Sequence, residues 1–322
     1  MAKKVRDKVA IDKVAMESLA EALNAIVRIA KDGASDTVAK RIRDGLSDFA
    51  NILEDARAET DKVRLPKTTF DPFEPKTVGR MVALALLAQP LVPLSAVPDA
   101  YGSGIYAIYY TGTHPLYAAI SGTETPIYVG KADPKEPDAS NPREQGNKLT
   151  GRLHEHAGTI GEAERYARSG QLPEGLHPIR LADFTCRRLV CATNAQLVAE
   201  VHLIKMFWPL WNSETKACWG MSKHGDAAVT RKNKRSPWDV IHPGRDWALS
   251  TILVNSLEPN IVEDRIRITL SRVAPREDHA ALLEEMLATF RQDDHREIDE
   301  PLVPPVGDVP GPDPDEASDE PK

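Results

Sequence analysis

Two short segments in the middle of the chain are rich in β-branched and aromatic residues, and this pattern constrains the fold more than any other feature. They are Gly104–Tyr110, with the sequence GIYAIYY, and Pro126–Gly130, with the sequence PIYVG. Residues of these types favour the pleated surface of a β-strand. A third segment of this kind, Asp183–Ala192, follows later in the chain. The three segments predict a small β-sheet at the centre of the protein.

Helical patterns lie before, between and after the predicted strands. Apolar residues recur at helical spacing through the first 65 residues, with a break at Asp32-Gly33, so two antiparallel helices are the simplest interpretation. Two more helices are predicted at Val78–Leu87 and Asn194–Phe207. Thr193 and Gln196 have the spacing of a capping box at the start of the second of these. The combination of strands and helices predicts an α/β (α+β) fold.

The ordered part of the chain is predicted to end with a strand at Asp264–Val273 and a helix at Arg276–Phe290. From Asp293 onward the sequence is rich in proline and acidic residues and poor in apolar ones, a composition typical of disorder. The predicted organisation is a helical region at 1–65, a linker with a short helix at 66–100, a mixed α/β core at 101–215, a basic loop with a closing strand and helix at 216–292, and a disordered acidic tail at 293–322.

Composition excludes several classes of protein. Hydrophobic residues make up 41% and charged residues 28% of the chain, as in globular proteins that bury a core. No apolar run reaches the roughly 18 residues that a membrane-spanning helix needs, and the charged N-terminus does not have the pattern of a signal peptide. The three cysteines include no CxxC pair, which favours a reducing compartment over a disulfide scaffold. We therefore expect a soluble, cytoplasmic protein with no membrane partner.

The net charge of −7 conceals an uneven distribution. The tail from Asp293 to Lys322 contains eleven acidic and two basic residues, so the rest of the chain carries a net charge of +2. Within that remainder, Lys216–Arg245 holds seven lysines and arginines and two aspartates, a net charge of +5. A locally basic body is compatible with an anionic partner such as nucleic acid.

Two of the predicted strands carry tyrosines that are expected to share one face. Side chains alternate along a strand, so Tyr106 points away from Ile105, and Tyr128 points away from Ile127 and Val129. If the two strands pair as a hairpin, the two phenols meet. Tyrosine is also a common core residue of strands, and packing alone is the alternative explanation.

The segment Leu149–Ala157 places Arg152 and His156 four residues apart, on one face of a helix. An arginine offers a planar fork of donors, and a histidine can give or take a proton, so the pair suits a phosphate group. An ordinary solvated helix face would have the same pattern.

Glu200 interrupts the apolar stripe of the predicted helix Asn194–Phe207. Its helical neighbours include Leu197 and Leu203. A carboxylate among them is costly unless it is paired or binds a metal. A glutamate that extends from the edge of the stripe into solvent is the alternative. Asn212 follows Glu200 by twelve residues, after the helix ends.

Taken in order, these residues resemble the GIY-YIG nuclease superfamily. The resemblance is strongest to the type II restriction endonucleases of that superfamily, which also have a histidine four residues after the arginine, here His156. The segments VALALLAQPLVPL and SPWDVIHPGRDWA are similar to that branch as well, and the similarity extends from residue 70 to residue 248. The positions that carry the match are GIY at 104–106, YVG in place of YIG at 128–130, Arg152, Glu200 and Asn212.

The resemblance implies a small antiparallel sheet flanked by helices, and hydrolysis of phosphodiester bonds in double-stranded DNA with Mg²⁺ or Mn²⁺. It assigns Glu200 as the metal ligand. It also assigns Arg152 as the residue that holds the phosphate and offsets the charge of the transition state.

The same resemblance gives roles to the remaining site residues. Tyr106 is the expected general base, with its pKa lowered by the metal or by a cation such as Lys131. Tyr128 and His156 would position the water or the phosphate, and either is an alternative base. Asn212 would fix the site by hydrogen bonds.

Sequence recognition needs residues outside the catalytic set, because phosphate contacts position a protein and base contacts specify the sequence. The basic segment Lys216–Arg245 suits a loop that lies in a DNA groove, although a solvated basic loop is the alternative. Its leading candidate contacts are Arg231, Lys232, Lys234, Arg235 and Arg245.

Two partners besides DNA follow from the expected activity. One nuclease centre per chain cuts one strand, so cleavage of both strands at a palindrome predicts a homodimer, at least on DNA. A host that carries a restriction enzyme needs its own sites protected, which implies a cognate DNA methyltransferase.

The sequence leaves three other interpretations open. The first is a repair or mobile-element nuclease of the same superfamily, although the helix-turn-helix or zinc-ligand spacing of an added DNA-binding module does not appear. The second is a DNA-binding protein with this fold that has lost catalysis, although the expected residue types stand at all the catalytic positions. The third is a helical scaffold protein with an accidental match.

Overall fold

The computed structural model describes residues 2–60, 69–192, 194–222 and 234–291, without the side chains of residues 2–12, 58 and 59. The chain divides into two units, Met1–Lys67 and Thr68–Lys322. The predicted capping residue Thr193 and the predicted disordered tail from Asp293 lie outside the described residues. Every described helix is too short or too polar to cross a membrane.

The first unit consists of two long helices. Helix α1 spans Ala2–Lys31 and helix α2 spans Asp36–Thr60, so both predicted helices are confirmed. They are separated at Gly33, whose φ of 90° lies in the left-handed region that favours glycine. Among the side chains described in this unit, none is buried.

The second unit alternates helices with short strands. Its helices are α3 (Pro75–Leu87), α4 (Pro142–Gln145), α5 (Lys148–Arg168), α6 (Gln196–Phe207), α7 (Pro237–Ile241), α8 (Pro259–Arg272) and α9 (His279–Ala288). Its strands are β1 (Val92–Pro93), β2 (Gly104–Tyr110), β3 (Tyr128–Ala132), β4 (Phe184–Val190), β5 (Lys234–Arg235) and β6 (Val254–Asn255). The three predicted strands and the helices predicted near residues 78–87, 194–207 and 276–290 are thereby confirmed.

Four strands form an antiparallel sheet in the order β1-β4-β2-β3. Tyr106 of β2 pairs with Gly130 of β3, and Ile108 pairs with Tyr128. Side chains of paired residues point to the same face, so the two tyrosines share one face of the sheet. Strand β3 lies at an edge, with its outer backbone groups turned away from the sheet. Strands β5 and β6 form a separate parallel pair.

Helices cover both faces of the sheet and build a separate core on each. On the tyrosine face, Tyr106 and Ile108 pack with Leu153 of α5. On the opposite face, Val129 packs with Leu203 of α6 and with residues of α3 and α9. Each fully buried side chain of this size contributes roughly 1.5–3 kcal/mol. The layering therefore places α5 above the tyrosines and α6 below them.

The prediction of a strand at Asp264–Val273 is wrong, because this segment belongs to helix α8, which ends at Arg272. Apolar and polar residues alternate in this segment, but the buried side chains of the helix are Val262, Ile266 and Thr269, which recur at helical spacing. The helix surface is further stabilised by Arg267, whose guanidinium bridges the carboxylates one turn earlier.

Candidate active site

The seven residues predicted to form the catalytic site divide into two groups around edge strand β3. The first group lies between the sheet and helix α5, and its members are Tyr106, Tyr128, Arg152 and His156. The second group lies on the strand and along its free edge, next to α6, and its members are Lys131, Glu200 and Asn212.

The phenol of Tyr106 is hydrogen-bonded to the imidazole of His156. Tyr106 Oη lies 2.7 Å from His156 Nε2, and both side chains are buried. The ring of Tyr128 is centred 6.1 Å from that of Tyr106 and 5.1 Å from that of His156. The two phenols thus meet on one face, as the alternation along the strands predicts.

The glycines of the two tyrosine-containing triplets are there for steric reasons. A Cβ atom on Gly130 would lie 2.5 Å from Tyr106 Oη, much closer than two such atoms can approach. A Cβ atom on Gly104 would lie 2.0 Å from the carbonyl oxygen of Leu189 on the neighbouring strand. Gly130 therefore makes the room that the phenol of Tyr106 occupies.

Arg152 lies one turn before His156 on α5, and its side chain is half-buried. Its guanidinium pairs with the carboxylate of Glu155 in the next turn of the helix. Its positive charge also acts on Tyr106 and Tyr128 and lowers the pKa of both phenols. Helix α5 thereby brings a cation and an imidazole to the same pair of tyrosines.

Burial is the strongest influence on the acidity of the tyrosines. It raises the pKa of Tyr106 well above the ordinary 10.0, and neighbouring Tyr128 raises it further. Burial also raises the pKa of Tyr128, against the lowering effects of a hydrogen bond with Ser222 and of Arg152. A free phenolate at Tyr106 is therefore costly, and the group that faces its hydroxyl is the imidazole of His156.

Glu200 projects from α6 to the free edge of β3. Its Oε1 accepts a hydrogen bond from the backbone N–H of Lys131 at 3.1 Å. Burial raises the pKa of its carboxyl group to about 7, and Lys131 opposes that shift. The nearby carboxylates of Glu214 and Asp133 raise the pKa as well. This carboxylate is partly desolvated and lies close to like charges, so it gains from a bound cation.

Lys131 does not serve as the cation expected beside Tyr106. It pairs with Ile105 in the sheet, so its side chain points to the face opposite Tyr106. Its ammonium group pairs with Asp133, and its charge acts on Glu200. The expectation is wrong because Lys131 follows the second triplet by one residue, and a step of one residue along a strand reverses the face.

Asn212 closes the free edge of β3. Its side-chain oxygen accepts a hydrogen bond from the N–H of Val129, and its side-chain nitrogen donates to the carbonyl of Val129, both at 2.9 Å. The side chain is buried, so these bonds are shielded from water. Asn212 and Glu200 thus form hydrogen bonds with backbone groups on the outer side of β3, where an edge strand has no neighbouring strand to pair with.

One comparison with known proteins bears on this geometry. The family model of the Eco29kI GIY-YIG domain matches residues 99–268, more than half of the chain. The chain belongs to this family. No curated protein matches it.

The match with the Eco29kI GIY-YIG family covers the whole arrangement described above. Strands β2, β3 and β4 and helices α5 and α6 all lie inside the matched range, and so does Asn212. The family is a restriction-endonuclease branch of the GIY-YIG nucleases, so the sheet and its tyrosines belong to a DNA endonuclease domain. The predicted family and fold are both confirmed.

A GIY-YIG restriction nuclease acts with a divalent metal, and the donor set around Glu200 fits one. Among the described residues, no three His, Cys, Asp or Glu side chains are grouped so that they could enclose a metal ion. The carboxylate that fits a cation is that of Glu200, because it is partly desolvated and lies close to the like charges of Glu214 and Asp133. Mg²⁺ accepts such an arrangement, because it commonly keeps several waters and takes one or two carboxylates.

The residues predicted to contact DNA differ in their surroundings, and two of them are not described by the structure. Arg231 and Lys232 lie outside the described residues, and Lys234 is half-buried on β5. Arg235 donates to the carbonyls of Ala248 and Ser250, and also to Asn255. Its guanidinium is therefore committed within the chain.

Arg245, the last predicted DNA contact, is buried. Its guanidinium donates to both carboxylate oxygens of Asp239, at 2.6 and 2.7 Å, and only 4% of its surface is exposed. The expectation that Arg245 contacts DNA is wrong for this conformation, because a buried bidentate ion pair leaves no face for a phosphate or a base.

One site residue has no signal in the sequence. The hydroxyl of Ser222 lies 2.8 Å from Tyr128 Oη, in the segment that follows α6. A serine in an irregular segment is ordinary, and only the fold shows that it reaches a tyrosine of β3.

Proposed function

We propose that this protein is a sequence-specific type II restriction endonuclease that hydrolyses phosphodiester bonds of double-stranded DNA at a short palindromic site with a divalent metal. The observation that carries the proposal is the hydrogen bond between Tyr106 and His156, beside the guanidinium of Arg152. Glu200 lies at the free edge of β3, the strand that carries Tyr128. A packing core would not need a buried phenol, an imidazole and a guanidinium together.

In the proposed reaction, Tyr106 and His156 move the proton of the attacking water. As the water oxygen forms its bond to phosphorus, Tyr106 Oη takes the water proton and passes its own proton to Nε2 of His156. This transfer avoids a free phenolate, which the raised pKa of Tyr106 makes costly. The opposite phosphorus–oxygen ester bond breaks, and the leaving oxygen receives a proton from solvent.

Arg152 and Tyr128 act on the phosphate in this scheme. Arg152 holds a non-bridging oxygen and offsets the negative charge that grows in the transition state. Its present partner Glu155 is exposed, so exchange of that surface ion pair for a phosphate contact costs little. Tyr128 positions the water or the phosphate through its phenolic hydrogen.

Glu200 would hold the divalent cation, Mg²⁺ or Mn²⁺. When bound, the cation supplies positive charge near the phosphate and the leaving oxygen. Asn212 keeps β3 in place beside Glu200 through its two bonds to Val129. Lys131 limits repulsion among the carboxylates at this edge.

Partners follow from the same proposal. Double-stranded DNA is the substrate, and a homodimer on DNA brings one active site to each strand. Lys234, and Arg231 and Lys232 in the neighbouring basic segment, remain proposed DNA contacts. A cognate methyltransferase would protect the host sites, and the pair would act in the cytoplasm.

The deciding experiment is a digest of unmethylated phage-type DNA by the purified protein, with Mg²⁺ and with EDTA. Discrete fragments that form only with Mg²⁺ support the proposal, and sequencing of their ends gives the site and the stagger. The variant Glu200→Gln, which keeps an acceptor for the Lys131 N–H, should give no fragments. Intact cleavage by this variant would contradict the assignment of Glu200.

Two other outcomes favour the alternatives. A smear without discrete bands would indicate a nonspecific or structure-selective nuclease of the repair or mobile-element kind. Specific DNA binding without cleavage on any DNA or metal would indicate a binding protein that keeps the fold without catalysis.

A further inference from the structure

The phenol of Tyr128 has a partner that the catalytic motifs do not include. Ser222 Oγ lies 2.8 Å from Tyr128 Oη, and both side chains are half-buried. Ser222 is far from Tyr128 in sequence and follows the buried residue Met221. The contact is thus made by a segment that packs against the domain after α6.

A buried ion pair holds that segment. Arg245 donates through Nη1 to the carbonyl of Met221 at 3.1 Å and through Nη2 to the carbonyl of Gly220 at 3.0 Å. The same guanidinium donates to both oxygens of Asp239. Because the fork of an arginine is rigid and planar, its bonds to two adjacent carbonyls fix the backbone that leads into Ser222.

Close packing adds to this restraint. Gly220 has a φ of 110°, and a Cβ atom there would lie 2.2 Å from the Cβ of Ser236. The Ser236 hydroxyl in turn donates to Asp239 at 2.6 Å. The ring of Trp238 stacks beneath Arg245, with the guanidinium carbon 5.3 Å from the ring centre. These contacts leave the backbone before Ser222 little freedom.

We propose that Ser222 is a positioning residue for the cleavage reaction: its hydroxyl donates to Tyr128 Oη, and the Arg245–Asp239 pair holds the backbone that presents it. A phenol oxygen that accepts from Ser222 keeps its own hydrogen for the site that Tyr128 shares with Tyr106. The hydrogen bond also lowers the pKa of Tyr128 against the effect of burial. This inference rests on the proposed nuclease function.

The test is a double-mutant cycle between Ser222 and Tyr128. Ser222→Ala should slow single-turnover cleavage about 5- to 20-fold, the size expected for one lost hydrogen bond. DNA affinity, measured in EDTA, should not change. In a Tyr128→Phe background the same substitution should have no further effect, because the phenol through which Ser222 acts is absent. Ser222→Thr, which keeps the hydroxyl, should restore the rate, and Ser271→Ala on the exposed surface of α8 is the matched control.

A second variant tests the ion pair. Arg245→Lys loses the fork that binds two carbonyls and the carboxylate, so it should reduce the cleavage rate in the same direction as Ser222→Ala. If Arg245 contacted a base through its fork instead, the variant would weaken DNA affinity while the salt dependence stayed the same, because lysine keeps the charge.

The outcomes separate this inference from the proposed function. Losses that multiply in the double variant, or full activity of Ser222→Ala, would overturn the role of Ser222 while leaving the nuclease intact. A wild-type protein that binds DNA and never cleaves it would overturn both.

Discussion

At the scale of single residues, the site contains two groups, Tyr106 and Glu200, whose burial disfavours the ionised form. Tyr106 is completely buried, and its pKa is raised well above that of a free phenol. Glu200 has a carboxyl pKa of about 7 for the same reason. Each group has a neighbour or ligand that would resolve the conflict: the phenol is hydrogen-bonded to His156, the proposed acceptor of its proton, and the proposed cation would neutralise the carboxylate.

The proposed proton transfer through Tyr106 predicts a large effect on the cleavage rate from the loss of one oxygen atom. Tyr106→Phe removes one oxygen and keeps the ring that fills the core, so cleavage should fall about 10²- to 10⁴-fold with little change in DNA affinity. Single-turnover rates and binding in EDTA measure the two effects. Tyr109→Phe is the matched control, because Tyr109 is buried on the same strand but on the opposite face. Equal losses from the two substitutions would show that the phenol of Tyr106 has only a structural role.

The pKa of Glu200 predicts an acid limit to activity. Only the ionised carboxylate binds a cation, so cleavage should fall as the pH drops through about 7 and level off above it. The cation competes with the proton, and a higher Mg²⁺ concentration should therefore move the midpoint to lower pH. Rates measured across pH at a low and a high Mg²⁺ concentration test this. A midpoint that ignores the Mg²⁺ concentration would assign the limit to another group.

At the scale of elements, the sequence predicts those helices and strands that are long or that are buried on both faces. Strand β2 is buried throughout its length, and this gives a continuous apolar run that is recognisable from sequence. Strands β1, β5 and β6 have two residues each, too few to produce a pattern. Helix α8 is not recognisable from periodicity alone, because its exposed apolar residue Ile268 adds to an alternating pattern.

The site shows the same division between pattern and fold. Tyr106 and Tyr128 share one face of the sheet, and Arg152 and His156 share one face of α5, as the periods of a strand and a helix predict. Periodicity does not predict that the two pairs meet, and only the resemblance implied it. Ser222 had no local signal, since its contact depends on where a distant segment packs.

Arg245 shows why charge alone misleads about function. Its sequence neighbourhood is basic, which favoured DNA binding, but burial and a partner six residues earlier, Asp239, decide its contacts. Neither burial nor that pairing can be inferred from the density of charges.

The close approach of strands β2 and β3 gives a prediction at this scale. Gly130→Ala would place a methyl group 2.5 Å from Tyr106 Oη, so the phenol must shift and its hydrogen bond with His156 is disturbed. We expect a loss of about 1–3 kcal/mol in stability and at least about tenfold in cleavage rate. Gly158→Ala on α5 is the control, because a Cβ atom there meets nothing within 4 Å. That variant should gain roughly 0.5–1 kcal/mol from helix propensity, measured by thermal or urea unfolding. A Gly130→Ala protein with normal stability and activity would contradict the steric role of Gly130.

At the scale of the whole molecule, one chain supplies one set of tyrosines, one Arg152 and one Glu200, and a duplex has two strands to cut. Two chains related by a two-fold axis would match the symmetry of a palindromic site. The described side chains of helices α1 and α2 are exposed or half-buried, and the exposed apolar ones include Val14, Met16 and Phe49.

Mixed dimers separate the contributions of the two chains. When a wild-type chain and a Glu200→Gln chain with different tags are co-expressed and the mixed species is purified, each complex should hold one competent site. On a supercoiled plasmid with a single recognition site, this species should nick one strand and accumulate open circles, while the wild-type dimer yields linear DNA. The nicking rate should be about half the first-strand rate of the wild type, because one of two equivalent sites remains. Linear DNA as the main product of the mixed species would mean that a single active site cuts both strands in turn, and the requirement for two protomers would be wrong.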